Sequence, residues 1–511
     1  MWHERVRRGG VLLLLALAAA ACGPKTPPAT APPATPAAAA ATVAAIPLRS
    51  LPGELDRIFA APAFHRMQWG VVVQSLESGQ VLYERDASRL MMPASNMKIV
   101  TLAAAAERLG WDYTWPTTVI PAGRVVDGVL RGDLVVRGGG DPTINGRGGD
   151  ATQVFSRWAD LLLAGGLKRV EGRVVADAGA FDDEGLGAGW AWDYLAYGYA
   201  APVSALQFNE DVAQIVVRPG PAEGAPAVVV VQPVESGLVA ESRVITVAGD
   251  TASLALRRLP GSDRLVVSGS IGQLAEETMR AVTVESPSVY FARALRRVLV
   301  EKGIEVFGPA TDIASLDVKP VLDQVAPLLT HRSPPLSEAA RVLMKVSQNL
   351  YAETFLKTIG AVAGEAGSAE AGQKEVAAVL QGWGVAPDEY VLADGSGLSR
   401  YNYVTPHMLV TILRQIYRDP RHRDRFIATL PVGGEDGGTI ARRFKGTRAA
   451  GNVRAKTGSI ANVRALSGYV TTLDGEPLVF SIIANDFTLP QATIDAATDQ
   501  AVERLANVTR R

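Results

Sequence analysis

From about residue 116 to 325 the chain is a succession of short β-type runs broken by Gly and Pro, and the segments on either side are of a different kind. That contrast constrains the fold most, because 511 residues are too many for one ordinary core. The runs at 133–137, 174–176, 227–232 and 264–268 are strand-like, and 287–302 reads as a shorter helical piece. Before this region come an amphipathic helix at 51–59 and a hairpin, 69–76 with 81–84, around Glu77-Ser78-Gly79-Gln80. After it, Val342, Leu343, Val346, Leu350 and Phe355 recur at helical spacing from Ser337 onward. Residues 371–383 and 406–417 read as further helices. Residues 453–458, 464–471 and 478–484 form a meander turning at Asp474-Gly475, and a helix at 494–506 closes the chain. Strands at both ends with helices between predict an α/β sheet domain whose outer parts, 49–115 and 326–511, meet. Residues 116–325 are then one or two inserted β-rich domains.

The turn Met91-Met92-Pro93-Ala94-Ser95-Asn96-Met97-Lys98 delivers the first hairpin into an apolar helix that stops at Gly110. Residues three apart share a helix face, so Ser95 and Lys98 point the same way from its first turn. A serine hydroxyl is a weak nucleophile until a base takes its proton, and a lysine with a depressed pKa is such a base. A Ser and a Lys at this spacing are also what an ordinary solvated helix edge contains.

The N-terminus carries Arg5, Arg7 and Arg8, then an apolar run at 11–21 ending in small residues, which reads as an export signal. The run is too short for a comfortable membrane span. The chain's one cysteine, Cys22, follows Ala19-Ala20-Ala21 and is the candidate lipidated residue of a bacterial lipoprotein. Ala19 stands where such signals usually carry Leu, and an ordinary signal peptide cleaved nearby is the alternative. Residues 1–22 are thus signal, and 23–48 a Pro/Ala-rich tether. One cysteine excludes an internal disulfide and a Cys zinc site, and there is no HExxH pair. The formal net charge of −1 carries no nucleic-acid footprint. Gly138-Gly139-Gly140-Asp141-Pro142 reads as a tight turn, since no Lys-Ser/Thr follows to make it a phosphate loop.

Three short motifs occur once each, in order: Ser95-x-x-Lys98, Ser347-x-Asn349 and Lys456-Thr457-Gly458. Each alone is weak; together they point to the penicillin-interacting serine acyl-transferase mechanism. With Tyr83-Glu84-Arg85-Asp86-Ala87, Gly138 to Thr143, Ala201-Pro202-Val203-Ser204-Ala205-Leu206 and Asp394-Gly395-Ser396-Gly397-Leu398-Ser399-Arg400, the chain resembles the class C low-molecular-mass penicillin-binding proteins, D-alanyl-D-alanine carboxypeptidases and endopeptidases. The resemblance spans roughly residues 50 to 490, including the wide gap between Ser95 and Ser347.

The resemblance implies a serine β-lactamase/DD-peptidase-like transpeptidase domain with β-rich inserted domains. It implies that Ser95 attacks the penultimate D-alanine carbonyl and forms an acyl-enzyme, and that Lys98 takes the serine proton. Ser347 relays a proton to the leaving amine and Asn349 holds the substrate amide. Lys456 and Thr457 bind the terminal carboxylate beside Gly458, and Lys456 helps keep Lys98 neutral. The N–H groups of Ser95 and Ser459 form the oxyanion hole. Asp394 and Ser396 line the groove, or are only a Gly-rich turn. Asp177 reaches the amino group of a diamino acid, or is only a loop aspartate. The implied partners are peptidoglycan stem peptides and β-lactams, in the periplasmic envelope, with membrane contact only through a lipid on Cys22 and with no metal or cofactor. A β-lactamase or esterase on the same fold, and a non-catalytic penicillin sensor or anchor, are the rival readings. Nothing in the sequence fixes an oligomeric state.

Overall fold

The computed structural model describes residues 44–364, 367–435 and 437–511. The signal, Cys22 and the tether up to residue 43 lie outside the described residues. Ile46–Pro47 is already part of the fold, paired in parallel with Val508–Thr509, so the tether ends earlier than residue 48.

Five antiparallel strands form the central sheet. β1 (Gln68–Ser75) and β2 (Val81–Arg85) are the first hairpin; β3 (Arg454–Ile460), β4 (Val463–Thr471) and β5 (Pro477–Asn485) are the meander. Their order is β3-β4-β5-β1-β2, with β1 against β5 in register from Gln68↔Asn485 to Ser75↔Leu478. The two ends of the sequence therefore share one sheet, and β3 is one of its edges.

The α-helices among the described residues are α1 (Leu51–Phe59), α2 (Met97–Leu109), α3 (Gln153–Ala164), α4 (Pro287–Glu301), α5 (Leu336–Lys345), α6 (Asn349–Val362), α7 (Ala369–Gly382), α8 (Pro406–Arg418), α9 (Arg423–Thr429) and α10 (Gln491–Ala506). Side chains alternate across a strand, so each face of the sheet builds its own core. Val71, Val73, Phe480 and Ile482 pack with Leu55 and Phe59 of α1 and Val502 and Leu505 of α10. Val72, Val479 and Ile483 join a second core with Ile99 and Leu102 of α2, Phe355 of α6 and Leu409 and Ile412 of α8. At ~1.5–3 kcal/mol for each fully buried large apolar side chain, the two cores fix the sheet between two helical layers.

Residues from Pro116 to Arg332 form a separate apolar core. Pro116–Val126 and Val129–Gly138 make a hairpin, and Val129–Gly138 pairs in parallel with Val174–Asp177 across α3. The insert is thus α/β where the sequence reading gives only strands before 287. Two three-stranded sheets, built from strands between Val212 and Thr283, complete it. Leu329–Arg332 pairs with Pro116–Val119, so the insert sheet runs past residue 325.

The helical run expected from Ser337 through Phe355 is two helices. α5 ends at Lys345, Ser347 has φ of +62°, and Gln348 caps α6 by accepting from the Leu350 N–H at 3.1 Å. A left-handed residue cannot continue a right-handed helix.

Candidate active site

Ser95 lies in a 3-10 turn, Ala94–Asn96, immediately before α2 rather than in the helix itself. Two glycines let this turn seat. A Cβ on Gly458 would stand 2.5 Å from the Pro93 carbonyl, and one on Gly397 would stand 1.8 Å from that of Ala94. Gly397 also has φ of +81°. Only glycine allows β3 and the 394–400 loop to approach so closely. Ala94 itself is left-handed, at φ +45°. Below the turn, Asn96 donates to Ser467 Oγ at 2.7 Å, and Asn485 exchanges hydrogen bonds with the Met92 backbone.

Lys98 is wholly buried in an apolar helix, and its Nζ meets three oxygens. Ser95 Oγ is at 2.9 Å, Asn349 Oδ1 at 2.6 Å and the Ser396 carbonyl at 2.7 Å. Asn349 donates its Nδ2 to the Tyr199 carbonyl at 2.7 Å, which fixes the amide with Oδ1 toward Lys98. Burial pushes Lys98 down to about 7, against the attraction of the Asp394 and Glu353 carboxylates. A neutral amine has two hydrogens and one lone pair. Asn349 and Ser396 offer only acceptors and take both hydrogens, so the lone pair faces Ser95 and the serine hydroxyl donates to it. This is the geometry a general base needs.

Lys456, also wholly buried, donates to Ser347 Oγ and to the Thr457 carbonyl, both at 2.8 Å. Burial and then repulsion from Lys98 hold it well below the usual lysine range. The influence expected of Lys456 on Lys98 thus appears in the other direction. The repulsion is mutual, and two carboxylates, Asp394 and Glu353, favour the charged form of Lys98.

Ala455 N–H donates away from the sheet to the Pro431 carbonyl at 3.0 Å. By the two-residue period of a strand, the Thr457 and Ser459 N–H groups also point off this edge, toward the cleft. Thr457 Oγ1 bonds Thr439 Oγ1 at 2.8 Å, and Arg464 donates to Ser459 Oγ. The cleft holds about 500 Å³ and is walled by Ser95, Ser347, Asn349, Thr457 and Ser459, with Tyr194 and Tyr199 contributed by the insert. No Asp or Glu is among the described residues that line it.

Asp394 and Ser396, expected on the groove wall, lie beneath it at 2% and 0% exposure. The Asp394 carboxylate accepts from the Gly397 and Ser399 N–H groups, Asn402 Nδ2 and Trp190 Nε1, so it organises the loop and has no capacity left for substrate. Ser396 contributes its carbonyl to Lys98. Asp177 ends its strand, paired with Arg137 at 2.7 Å, and is not on the cleft wall. Sequence reasoning missed Glu353, Thr439 and Tyr199. Glu353 had a readable signal: Asn349, Glu353 and Lys357 recur every four residues on a helix with no other charged residue. Away from the cleft, Glu107, Asp419 and His422 cluster closely enough for a cation. Trp111 donates to His422 Nδ1, His422 Nε2 meets Glu107, and Arg421 engages both acids, so these groups satisfy one another.

Residues 51–508 match the D-Ala-D-Ala carboxypeptidase 3 (S13) family. The chain is 37% identical over 473 residues to a D-alanyl-D-alanine carboxypeptidase of Actinomadura sp. (strain R39), covering 90% of this chain and 85% of that one. It is 28% identical to D-alanyl-D-alanine carboxypeptidase DacB of Haemophilus influenzae, covering 82% and 85%. The crystal structure of penicillin binding protein 4 (dacB) from Haemophilus influenzae superposes with a TM-score of 0.76 at 26% identity, over 90% of this chain and 99% of that one. A structure of that protein complexed with a β-lactam superposes at 0.71 and 24% identity, over 88% and 98%.

Proposed function

The chain belongs to the D-Ala-D-Ala carboxypeptidase 3 (S13) family, and on that premise we propose how its own residues carry the reaction. The protein is a penicillin-sensitive serine D-alanyl-D-alanine carboxypeptidase or endopeptidase of peptidoglycan stem peptides. Ser95 is the nucleophile. Lys98 accepts its proton, which travels 2.9 Å along an existing hydrogen bond. Backbone N–H groups of Ser95 and Ser459 receive the developing oxyanion; one such donor is worth ~10²–10³ in rate. Ser347, held by Lys456 at 2.8 Å, passes a proton to the leaving D-alanine amine. Lys456 and Thr457 receive the terminal carboxylate, and Asn349 places the scissile amide. Water then releases the shortened peptide.

The observation that carries this reading is the saturation of Lys98: two carbonyl acceptors occupy its hydrogens, and the third contact is Ser95. The absence of carboxylates from the described cleft wall supports slow hydrolysis of a β-lactam acyl-enzyme, in favour of a penicillin target over a β-lactamase. The export signal and a lipid on Cys22 would place the body in the periplasm, tethered by residues 23–43. The order of domains is read as a catalytic body divided by the insert.

The test is chromatography of muropeptides after incubation with the body from residue 44 onward, which keeps the Ile46–Pro47 strand. Pentapeptide shortened to tetrapeptide marks a carboxypeptidase, and cross-linked dimer resolved to monomer an endopeptidase. Ser95→Ala is expected to abolish either change and all penicillin labelling while the circular dichroism spectrum stays the same. Labelling that survives the substitution removes Ser95 from its role.

A further inference from the structure

Glu353 is a buried carboxylate, 4% exposed, that the chemistry above leaves idle. It lies one turn beyond Asn349 on α6. Its Oε2 accepts from the Gly395 N–H at 2.9 Å and its Oε1 from the Ser396 N–H at 2.8 Å. The peptide unit between Gly395 and Ser396 is clamped from its other end, where Thr101 Oγ1 donates to the Gly395 carbonyl at 2.7 Å. The next carbonyl in the loop, that of Ser396, is the one that accepts from Lys98 Nζ. Two bonds therefore connect a buried carboxylate to the amine beside Ser95.

Burying a carboxylate is costly, and neutral acceptors would satisfy two N–H groups for less. Burial and then the Asp394 carboxylate push Glu353 up to about 7, against the pull of the Ser396 hydroxyl and the two N–H groups. The charged groups around it are Lys98 from α2, Asp394 from the loop, and Lys357 one turn further along α6 with its Asp182 partner, with Glu184 and Glu370 on the wall of the same cavity; Lys456 lies beyond Lys98. A cavity of about 350 Å³ is lined by Glu353 and Lys357 and shares no wall residue with the catalytic cleft. The carboxyl thus borders a space separate from the one that substrate enters.

We propose that Glu353 is a positioning residue for acylation: by holding the Gly395 and Ser396 N–H groups it aims the Ser396 carbonyl at Lys98 Nζ, and so reserves the amine's lone pair for Ser95. This rests on Lys98 being the base.

The experiment measures the rate of acylation by a fluorescent penicillin against pH, on purified enzyme, normalised to the fraction that labels at completion. Glu353→Gln is expected to lower the plateau rate by ~10–100-fold, a share of what a positioned base supplies. Its rising limb should also move to lower pH, because an anion that favours charged Lys98 is gone. Glu353→Asp keeps the charge, so its limb should stay in place. A Glu353→Gln enzyme with the parent plateau and limb overturns the proposal. So does one whose loss lies wholly in the labelled fraction, since that is what a residue needed only for folding would give. Should Glu353→Gln not fold, Thr101→Val frees the opposite end of the same peptide unit. Its plateau should fall by ~3–10-fold with the limb unmoved, and an unchanged plateau overturns the proposal. Failure of the underlying reading is seen separately, as a Lys98→Ala enzyme that still acylates at the parent rate.

Discussion

Lys98 concentrates the conflict between stability and chemistry in one side chain. Its pKa falls from 10.5 to about 7 on folding, so the folded state resists a proton that the unfolded chain binds. A depressed group contributes its full stability above its unfolded pKa and loses it as pH falls to its folded pKa. The native protein should therefore weaken relative to Lys98→Met between pH 10.5 and about 7, with a constant difference below. The ionisation term reaches ~5 kcal/mol, offset by ~1–3 kcal/mol for the acceptors of Asn349 and Ser396 left bare. The net expectation is a Lys98→Met protein more stable by a few kcal/mol near neutral pH in denaturant titrations. That advantage should fade toward pH 10. The same group gives the parent enzyme an acylation rate that rises through about pH 7; a flat profile there would mean that another group takes the Ser95 proton.

Elements bring the catalytic residues together through close backbone approach, and β3 against the Ser95 turn is one example. Gly458→Ala places a methyl 2.5 Å from the Pro93 carbonyl, so strand and turn must separate. Lys456 and Ser95 then move apart together. Penicillin acylation is expected to fall by ~100-fold, the scale of an ångström of misplacement, with only a small change in melting temperature. An acylation rate within twofold of the parent would show that the approach is not needed. This is also where sequence reading reached its limit. The hairpin, the meander and the order of the motifs were legible because strand periodicity and short motifs are local properties. The break at Ser347 was not, because Val342, Leu343, Val346, Leu350 and Phe355 keep helical spacing across it. What holds that turn is distant: Lys456 on Ser347 Oγ, and Glu210 accepting from Gln348 Nε2 at 2.7 Å. Helix α3 was legible and missed, since Phe155, Trp158, Ala159 and Leu162 follow a helical period inside a stretch of β texture. The burial of Asp394 could not be read, because Asp-Gly-Ser-Gly describes an exposed turn equally well.

At the scale of the molecule, the insert braces the site as well as walling it. Trp190 donates to Asp394, the Tyr199 carbonyl orients Asn349, Glu210 holds Gln348 and Asp182 pairs with Lys357. The insert can be tested as a unit, because Ser333 N–H donates to the Trp115 carbonyl at 3.0 Å and brings its flanks together. Replacing residues 116–332 by a few glycines should leave a body that unfolds cooperatively yet acylates at least ~10-fold more slowly. Acylation at the parent rate would reduce the insert to a wall. The pairing of Ile46–Pro47 with Val508–Thr509 has a consequence of another kind. The chain enters and leaves the folded body at one corner, through a two-stranded sheet separate from the one that carries Lys456. A pull transmitted through residue 44 therefore meets that small clasp before it meets the catalytic sheet.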